Sequence, residues 1–326
     1  MVRKIHEWKR RKMSISIILQ QMGVICILVL IGVYLYNKKI IDGSNSQKLS
    51  AIVVDVCNPA LIMASILSGN ITATRSDLIT AIYLGAAFYL LLVILGFVIS
   101  RVLKSEPGNR KFYNLMTVYT NTGFLGIPIA KAILPDNAII YVIVINVFYS
   151  LLFYTHGMAV LHAGLDKKTG IKRKNPLLSI LNPGTVMAIL SLVVFWFDLT
   201  PPPIIANTIQ YIGNATVFLS MALLGVSIAR SSFFKSFKNI KIWFYIVLRM
   251  IIVPVAIVLV MKLLNFDNDA TLALCLMAAV PAGSLPMIQA EKMGLDTELL
   301  SSSIAMTTFI SIFSITALMS VISTLL

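Results

Sequence analysis

Asn121-Thr-Gly-Phe-Leu-Gly-Ile-Pro128 and Pro281-Ala-Gly-Ser-Leu-Pro286 interrupt two otherwise apolar stretches, one in each half of the chain. Both stretches are long enough to cross a bilayer, and both combine glycine with proline in mid-span. In lipid, a broken helix leaves amides and carbonyls without partners, which is costly unless protein or a polar cavity receives them. A matched pair of breaks in two halves is the sequence pointer to the substrate site of a secondary transporter.

The composition around these breaks fits a bilayer. Of 326 residues, 58% are hydrophobic and 12% charged, and the mean hydropathy is +0.89. Soluble domains carry roughly 25% charged residues, so the chain reads as an integral membrane protein. Ten spans use nearly all of its length: 15–36, 49–67, 78–100, 112–134 and 138–161, then 177–197, 204–229, 240–264, 270–290 and 299–326. No room is left for a soluble catalytic domain. The broken spans are the fourth and ninth, each fourth in a set of five. Five is odd, so two such sets enter the membrane with opposite orientation. The fold expected is all-α, with ten transmembrane helices in two inverted five-helix repeats and broken crossover helices 4 and 9. The divisions are a basic tail 1–13, a first repeat 14–165, a basic linker 166–175 and a second repeat 176–326.

A net charge of +14 would suggest nucleic acid in a soluble protein. Here the basic residues sit in short connections, where they set topology, and nucleic acid is not an expected partner. The connections after spans 1, 3, 5, 7 and 9 hold seventeen Lys and Arg, five of them in the linker. The opposite side holds Arg75, Lys131 and Lys262 in loops, plus six in the tail. The loops place both termini outside the cell membrane; the tail argues the other way, and the loops agree at four separate connections. The tail followed by an apolar run resembles a signal peptide. That run is about 22 residues without a small-residue cleavage site, so it reads as a true first span. Cys26, Cys57 and Cys275 lie in apolar runs with neither pairing nor metal spacing and read as buried small hydrophobes.

The breaks carry the chemistry. Asn121 and Thr122 offer an amide and a hydroxyl, Gly123 and Gly126 permit close backbone approach, and Pro128 removes an amide donor. Pro281, Gly283, Ser284 and Pro286 repeat the pattern. Each break starts a new half-helix whose amides and dipole favour an anion. If the two breaks cross, two positive ends face one small volume, which suits a carboxylate. The plain alternative is a pair of packing kinks, since proline and glycine are common in membrane helices.

The strings Asn58-Pro-Ala-Leu-Ile62, Asn121-Thr-Gly-Phe-Leu-Gly-Ile-Pro128, Leu224-Gly-Val-Ser-Ile-Ala229 and Val280-Pro-Ala-Gly-Ser-Leu-Pro286 resemble the auxin efflux carrier family, a group of membrane transporters, over nearly the whole chain. The resemblance implies crossover helices that meet at their prolines, and transport of organic anions such as auxin or small carboxylic acids. It places the site at Asn121, Pro128 and Pro286, with Asn146 as the polar residue that faces it from helix 5. Two positions depart from the family. Phe218 stands where many members have a helix-7 proline mirroring Pro59, and Leu285 stands where many prokaryotic members carry asparagine.

Other polar residues lie within or beside the spans. Asp55 and Asn58 are three apart and share a helix face; Asn58 reads as a substrate contact and Asp55 as a proton or cation handler. With the second span starting near residue 49, Asp55 sits about 9 Å from its end, where it can equally be a solvated interface residue. Arg249 is in mid-span, where a charge is expensive and faces the interior. It can attract an anion, pair with Asp55 or Asp77, or anchor helix packing. Glu291 and Lys292 mark a membrane edge with a coupling role as the sharper reading. His156 and His162, six apart, read as packing groups.

There is no Gly-x-Ser-x-Gly, His-Glu-x-x-His or Walker loop, so the chain does not read as an enzyme or a primary pump, and no cofactor or metal is expected. The partners expected are a small organic anion and the lipid bilayer, with a homodimer as the assembly such folds allow. Alternating access, of the elevator or rocking-bundle kind, would run around the crossover. Export of a carboxylate from an inside-negative cell needs no coupling ion; import needs one, for which Asp55 is the candidate. Two rival readings stay open: a sodium-coupled bile-acid-type symporter, and a membrane sensor with a transporter-like core.

Overall fold

The structure is a computed structural model that describes residues 15–67, 73–103, 107–163, 181, 183–230 and 237–325; the tail 1–13 and the linker 166–175 lie outside the described residues. Among the described residues every regular element is helical, apart from one isolated antiparallel bridge. Six helical stretches are long and apolar enough to cross a membrane: Asn45–Leu67, Arg75–Val102, Asp136–His162, Pro203–Arg230, Ile240–Leu263 and Glu298–Leu325. Four shorter apolar stretches, Gly23–Asn37, Thr122–Ile133, Pro183–Trp196 and Asn268–Ala279, fall within the remaining places.

In chain order the α-helices are α1 (Ile15–Asn37), α2 (Gly43–Ile52), α3 (Asn58–Leu67), α4 (Arg75–Val102), α5 (Pro107–Val118), α6 (Ile127–Ile133), α7 (Ile139–Leu152) and α8 (Met158–His162). There follow α9 (Pro183–Trp196), α10 (Pro203–Arg230), α11 (Ile240–Ile246), α12 (Val253–Leu263), α13 (Asn268–Ala279), α14 (Leu285–Lys292) and α15 (Glu298–Leu325). Four widened π-helical turns occur: Val53–Cys57, Phe153–Gly157 and Val247–Ile252 join consecutive helices without ending the span, and Thr122–Gly126 leads into α6 after the non-helical residues 119–121. Three of the four end two residues before a proline, namely Pro59, Pro128 and Pro254. The cause is local: a proline has no N–H for the carbonyl four residues back and its ring collides with that carbonyl, so the preceding turn opens.

The helices pack as two sets. α1, α2, α3, α9 and α10 contact one another, and α4 to α8 pack with α11 to α15. Within the first set, α1 and α10 run backbone against backbone. A Cβ at Gly32 would strike the carbonyl of Ala222, and one at Gly225 the carbonyl of Val29. Small residues at a helix crossing allow this approach, and in lipid it supplies the packing that no hydrophobic drive can. In the second set α13 is apolar on every face, and all of its residues from Ala270 to Ala279 are buried. A helix hydrophobic all round is a central one.

The second span begins earlier than its hydropathy suggests. Asp42 and Asn45 bond reciprocally through backbone amides and side-chain oxygens, 2.7 and 2.9 Å, just ahead of a helix that starts at Gly43. Asp55 is therefore twelve residues, about 18 Å, from the helix start rather than about 9 Å.

Candidate functional site

The fourth and ninth spans are each two helices separated by extended residues, and the gaps pair with each other. The amide of Asn121 donates to the carbonyl of Pro281 at 2.8 Å, and the amide of Gly283 donates to the carbonyl of Tyr119 at 3.0 Å. Thr120 and Ala282 thus form an antiparallel bridge inside the apolar core. Each break supplies the partners the other lacks, which is how two interruptions survive inside a membrane-spanning core. The pairing falls at Thr120 and Ala282, and the prolines play separate parts: Pro281 lends its carbonyl, Pro286 sits at the second residue of α14, where a missing N–H costs least, and Pro128 follows the π-turn Thr122–Gly126, where its missing N–H takes the regular partner from the carbonyl of Phe124. Gly283 is required by proximity, since a Cβ there would lie 2.8 Å from the carbonyl oxygen of Tyr119.

Beside the bridge is a chamber of about 70 Å³, lined by Asn58, Asn121, Gly123, Asn146, Gly283, Ser284 and Leu285, with Phe124, Tyr149 and Tyr154 as aromatic walls. Gly123 lies under two of the amides: its Cβ position is 3.3 Å from Asn58 Nδ2 and 3.6 Å from Asn146 Oδ1. Asn146 is held in place. Its Nδ2 donates to the carbonyl of Val142 at 2.9 Å, and its Oδ1 accepts from the Thr122 hydroxyl at 3.1 Å. Asn58 Oδ1 is buried with no hydrogen-bond partner, so an acceptor is present in the chamber that a bound group or the rotated amide must satisfy.

The chamber adjoins a cavity of about 480 Å³ that shares Val54, Asn121, Phe124, Tyr154, Ser284 and Leu285 with it. This cavity runs between the two helix sets, past Asp55, Ser220 and Ser227, to Ser46 and Gln47 on α2, Arg230 at the end of α10 and Gln289 on α14. Its outer end lies at the connections after spans 1, 7 and 9, on the basic side of the chain. Asp55 and Arg230 are the charged residues on its wall.

Sequence-predicted residues therefore divide. Asn58, Asn121, Gly123, Asn146, Gly283 and Ser284 come together. Thr122, Gly126, Pro128, Pro281 and Pro286 are buried around the bridge and do not line the chamber, with Gly126 against Met277. Asp55 faces the larger cavity. Asp77 closes a capping box with Thr74 at the start of α4. Arg249 is 1% exposed and contacts carbonyl oxygens: its Nε donates to Thr117 at 2.9 Å, and its Nη1 donates to Ala278. The side chains of Glu291 and Lys292 lie outside the described residues. His156 Nδ1 shares a hydrogen bond with the Tyr119 hydroxyl at 2.9 Å, and His162 Nδ1 contacts the carbonyl of Met158. Cys57 and Cys275 are buried and Cys26 is half-buried, all as thiols.

Tyr154, Tyr149, Ser220 and the hydroxyls of α2 were not legible as site residues one by one. A pattern signal existed: Ser46 and Ser50 are four apart and Ser220 and Ser227 seven apart, each pair on one helical face.

Residues 17–319 match the family described as "Membrane transport protein". The chain is 25% identical over 309 residues to an uncharacterized transporter of Methanocaldococcus jannaschii, covering 90% of this chain and 94% of that protein. It is 24% identical over 298 residues to an uncharacterized transporter of Methanothermobacter thermautotrophicus, covering 89% and 94%. With the match spanning all ten apolar stretches and both halves of the bridge, the chain belongs to the membrane transport protein family, the auxin efflux carriers.

Proposed function

We propose that this transporter is a secondary carrier of small organic anions, auxin-like or dicarboxylic, built as ten membrane-crossing helices in two inverted repeats of five. The observation that carries the reading is the chamber beside the Thr120–Ala282 bridge, where Asn58, Asn121 and Asn146 converge on Gly123. Amide groups at that point bind a carboxylate without burying a counter-ion beside it, and the amide ends of the second half-helices add about half a positive charge each. The larger cavity beside the chamber supports an open state on the basic side, which the positive-inside tendency makes the cytoplasmic one, with both termini outside the cell membrane. Alternating access then moves one helix set past the other and closes the cavity between α2, α10 and α14. A sodium symporter is the weaker reading, because Asp55 is the one carboxylate on the cavity wall among the described residues.

The test is uptake of labelled malate and indole-3-acetate into proteoliposomes, with and without an imposed potential or pH gradient. Potential-driven flux that disappears in Asn121→Ala is the expected result. Folded protein that moves no carboxylate under any gradient would overturn the carrier reading and favour a sensor.

A further inference from the structure

Arg249 is among the largest fully buried side chains of the described residues and takes no part in the chamber. It is 1% exposed in the middle of a span. No carboxylate contacts it among the described residues. Its ionisable neighbours are the hydroxyls of Tyr89 and Tyr245. A lone guanidinium at that depth must be offset by something, and its hydrogen bonds identify what. Thr117 is in the last turn of α5 and Ala278 in the last turn of α13, so Arg249 binds a terminal carbonyl of each half-helix that leads into the bridge. Each such end carries about −0.5 of a charge, and two together carry about −1, which one guanidinium balances. The planar fork, with Nε and Nη1 as separate donors, reaches two carbonyls from different helices at once. The π-turn Val247–Ile252 carries it, at the level of the bridge.

We propose that Arg249 is the permanent counter-charge of the crossover: a positioning residue that neutralises the carbonyl ends of α5 and α13 and so fills, as part of the chain, a place where a mobile cation would otherwise be needed. The breaks stay paired and the second half-helices keep their positive ends directed at the chamber whether or not an ion is bound. The further consequence, that flux is indifferent to sodium and potassium, rests on the carrier reading; the counter-charge role does not, and it is tested without transport.

The test is hydrogen–deuterium exchange of the amides of Asn121 and Gly283 in protein held in lipid nanodiscs. Wild type is compared with Arg249→Lys, Arg249→Gln and Arg249→Met, each in choline, sodium or dilute guanidinium chloride. The expected result is exchange at least about tenfold faster in the Gln and Met variants, little change in Lys, and slowing by guanidinium or sodium in the neutral variants alone. If the Gln variant does not fold, its recovery when purified with guanidinium carries the same meaning. Protection in Arg249→Met equal to wild type, or loss of protection in all three variants with no response to either cation, would overturn the proposal, since packing alone would then account for the residue. A second arm measures malate and indole-3-acetate flux. Wild-type flux that ignores sodium, with flux in Arg249→Gln that requires it, extends the role to transport. A cation-dependent exchange result without flux in any protein would count against the carrier reading and leave the counter-charge standing.

Discussion

Ser220 of α10 holds its hydroxyl 3.2 Å from the carbonyl of Phe124 and 3.3 Å from that of Val217 on its own helix, and Pro128 is the reason the Phe124 carbonyl lacks its regular partner. In a regular helix the amide of residue 128 would bond to the carbonyl of residue 124; proline has no amide to offer. The bond therefore ties the two helix sets together at a point the sequence itself opened. Under the proposed alternating access, moving the sets past each other breaks it. A neutral hydrogen bond of this kind contributes about 1 kcal/mol, roughly fivefold in the balance between two states. Ser220→Ala is expected to shift the protein away from the state with the open cavity. The check is the modification rate of a cysteine placed at Ser50 on the cavity wall, with Cys26, Cys57 and Cys275 replaced. A several-fold slower rate is expected; an unchanged rate would show that the bond does not bias the two states.

Gly283 and Gly123 lie on the two breaks and should fail differently when given a methyl group. At Gly283 the new Cβ meets backbone, 2.8 Å from the Tyr119 oxygen and 3.0 Å from that of Thr120. Both atoms belong to the bridge and have no way to move aside. At Gly123 the nearest atom is the Asn58 amide at 3.3 Å, a side chain that can turn. Overpacking of the first kind costs about 1–3 kcal/mol. Gly283→Ala is expected to lower the melting temperature by several degrees, whereas Gly123→Ala keeps it within about a degree and loses transport instead. Thermal melts in detergent beside liposome uptake read both. Equal melting of the two variants would show that the bridge has slack the structure does not.

How the breaks are built was only half legible in the chain. Glycine and proline at Asn121–Pro128 and Pro281–Pro286 mark an interruption by themselves, because their backbone chemistry is local. That Thr120 would pair with Ala282, more than a hundred residues away, depends on how the two halves dock, and no local pattern encodes it. The π-turns lie between these cases. Pro59, Pro128 and Pro254 each follow one by two residues, whereas Pro281 and Pro286 of the ninth span follow none, so a proline inside a span marks either a widened turn just before it or a full break. The turn at Phe153–Gly157 has no proline and gave no such signal. Arg249 was legible as buried, since a charge in mid-span has nowhere else to go, but its carbonyl partners come from two helices distant in sequence.

The α1–α10 contact sets a sharp steric limit. Gly32 and Gly225 face each other's neighbouring carbonyls with no space for a side chain, while Gly23 on the same helix as Gly32 has nothing within 4 Å of its Cβ position. Gly225→Leu is expected to abolish a monodisperse elution peak and Gly32→Leu to do the same, with Gly23→Leu eluting as wild type. Size-exclusion chromatography of fluorescently tagged protein is sufficient. Normal elution of Gly225→Leu would mean that α1 and α10 can separate without loss of the fold, and would make that pair a moving joint.

Asn58→Asp discriminates most directly between the rival ions. The change is nearly isosteric, and it puts a carboxylate next to Gly123 and in the same chamber as Asn146. At 4 Å and an effective dielectric constant of 20, like charges repel by about 4 kcal/mol; even a quarter of that is about fivefold in affinity. An organic anion should therefore bind Asn58→Asp far more weakly than it binds Asn58→Ala, which loses a polar contact alone. A bound cation would respond with the opposite sign, since the new carboxylate would hold it more tightly. The comparison is the KM for malate and for indole-3-acetate across wild type, Asn58→Ala and Asn58→Asp, at fixed sodium. The order wild type, then Ala, then Asp is what an anion in contact with Asn58 requires. Asp ranking above Ala would place a cation in the chamber and move the substrate elsewhere in the larger cavity.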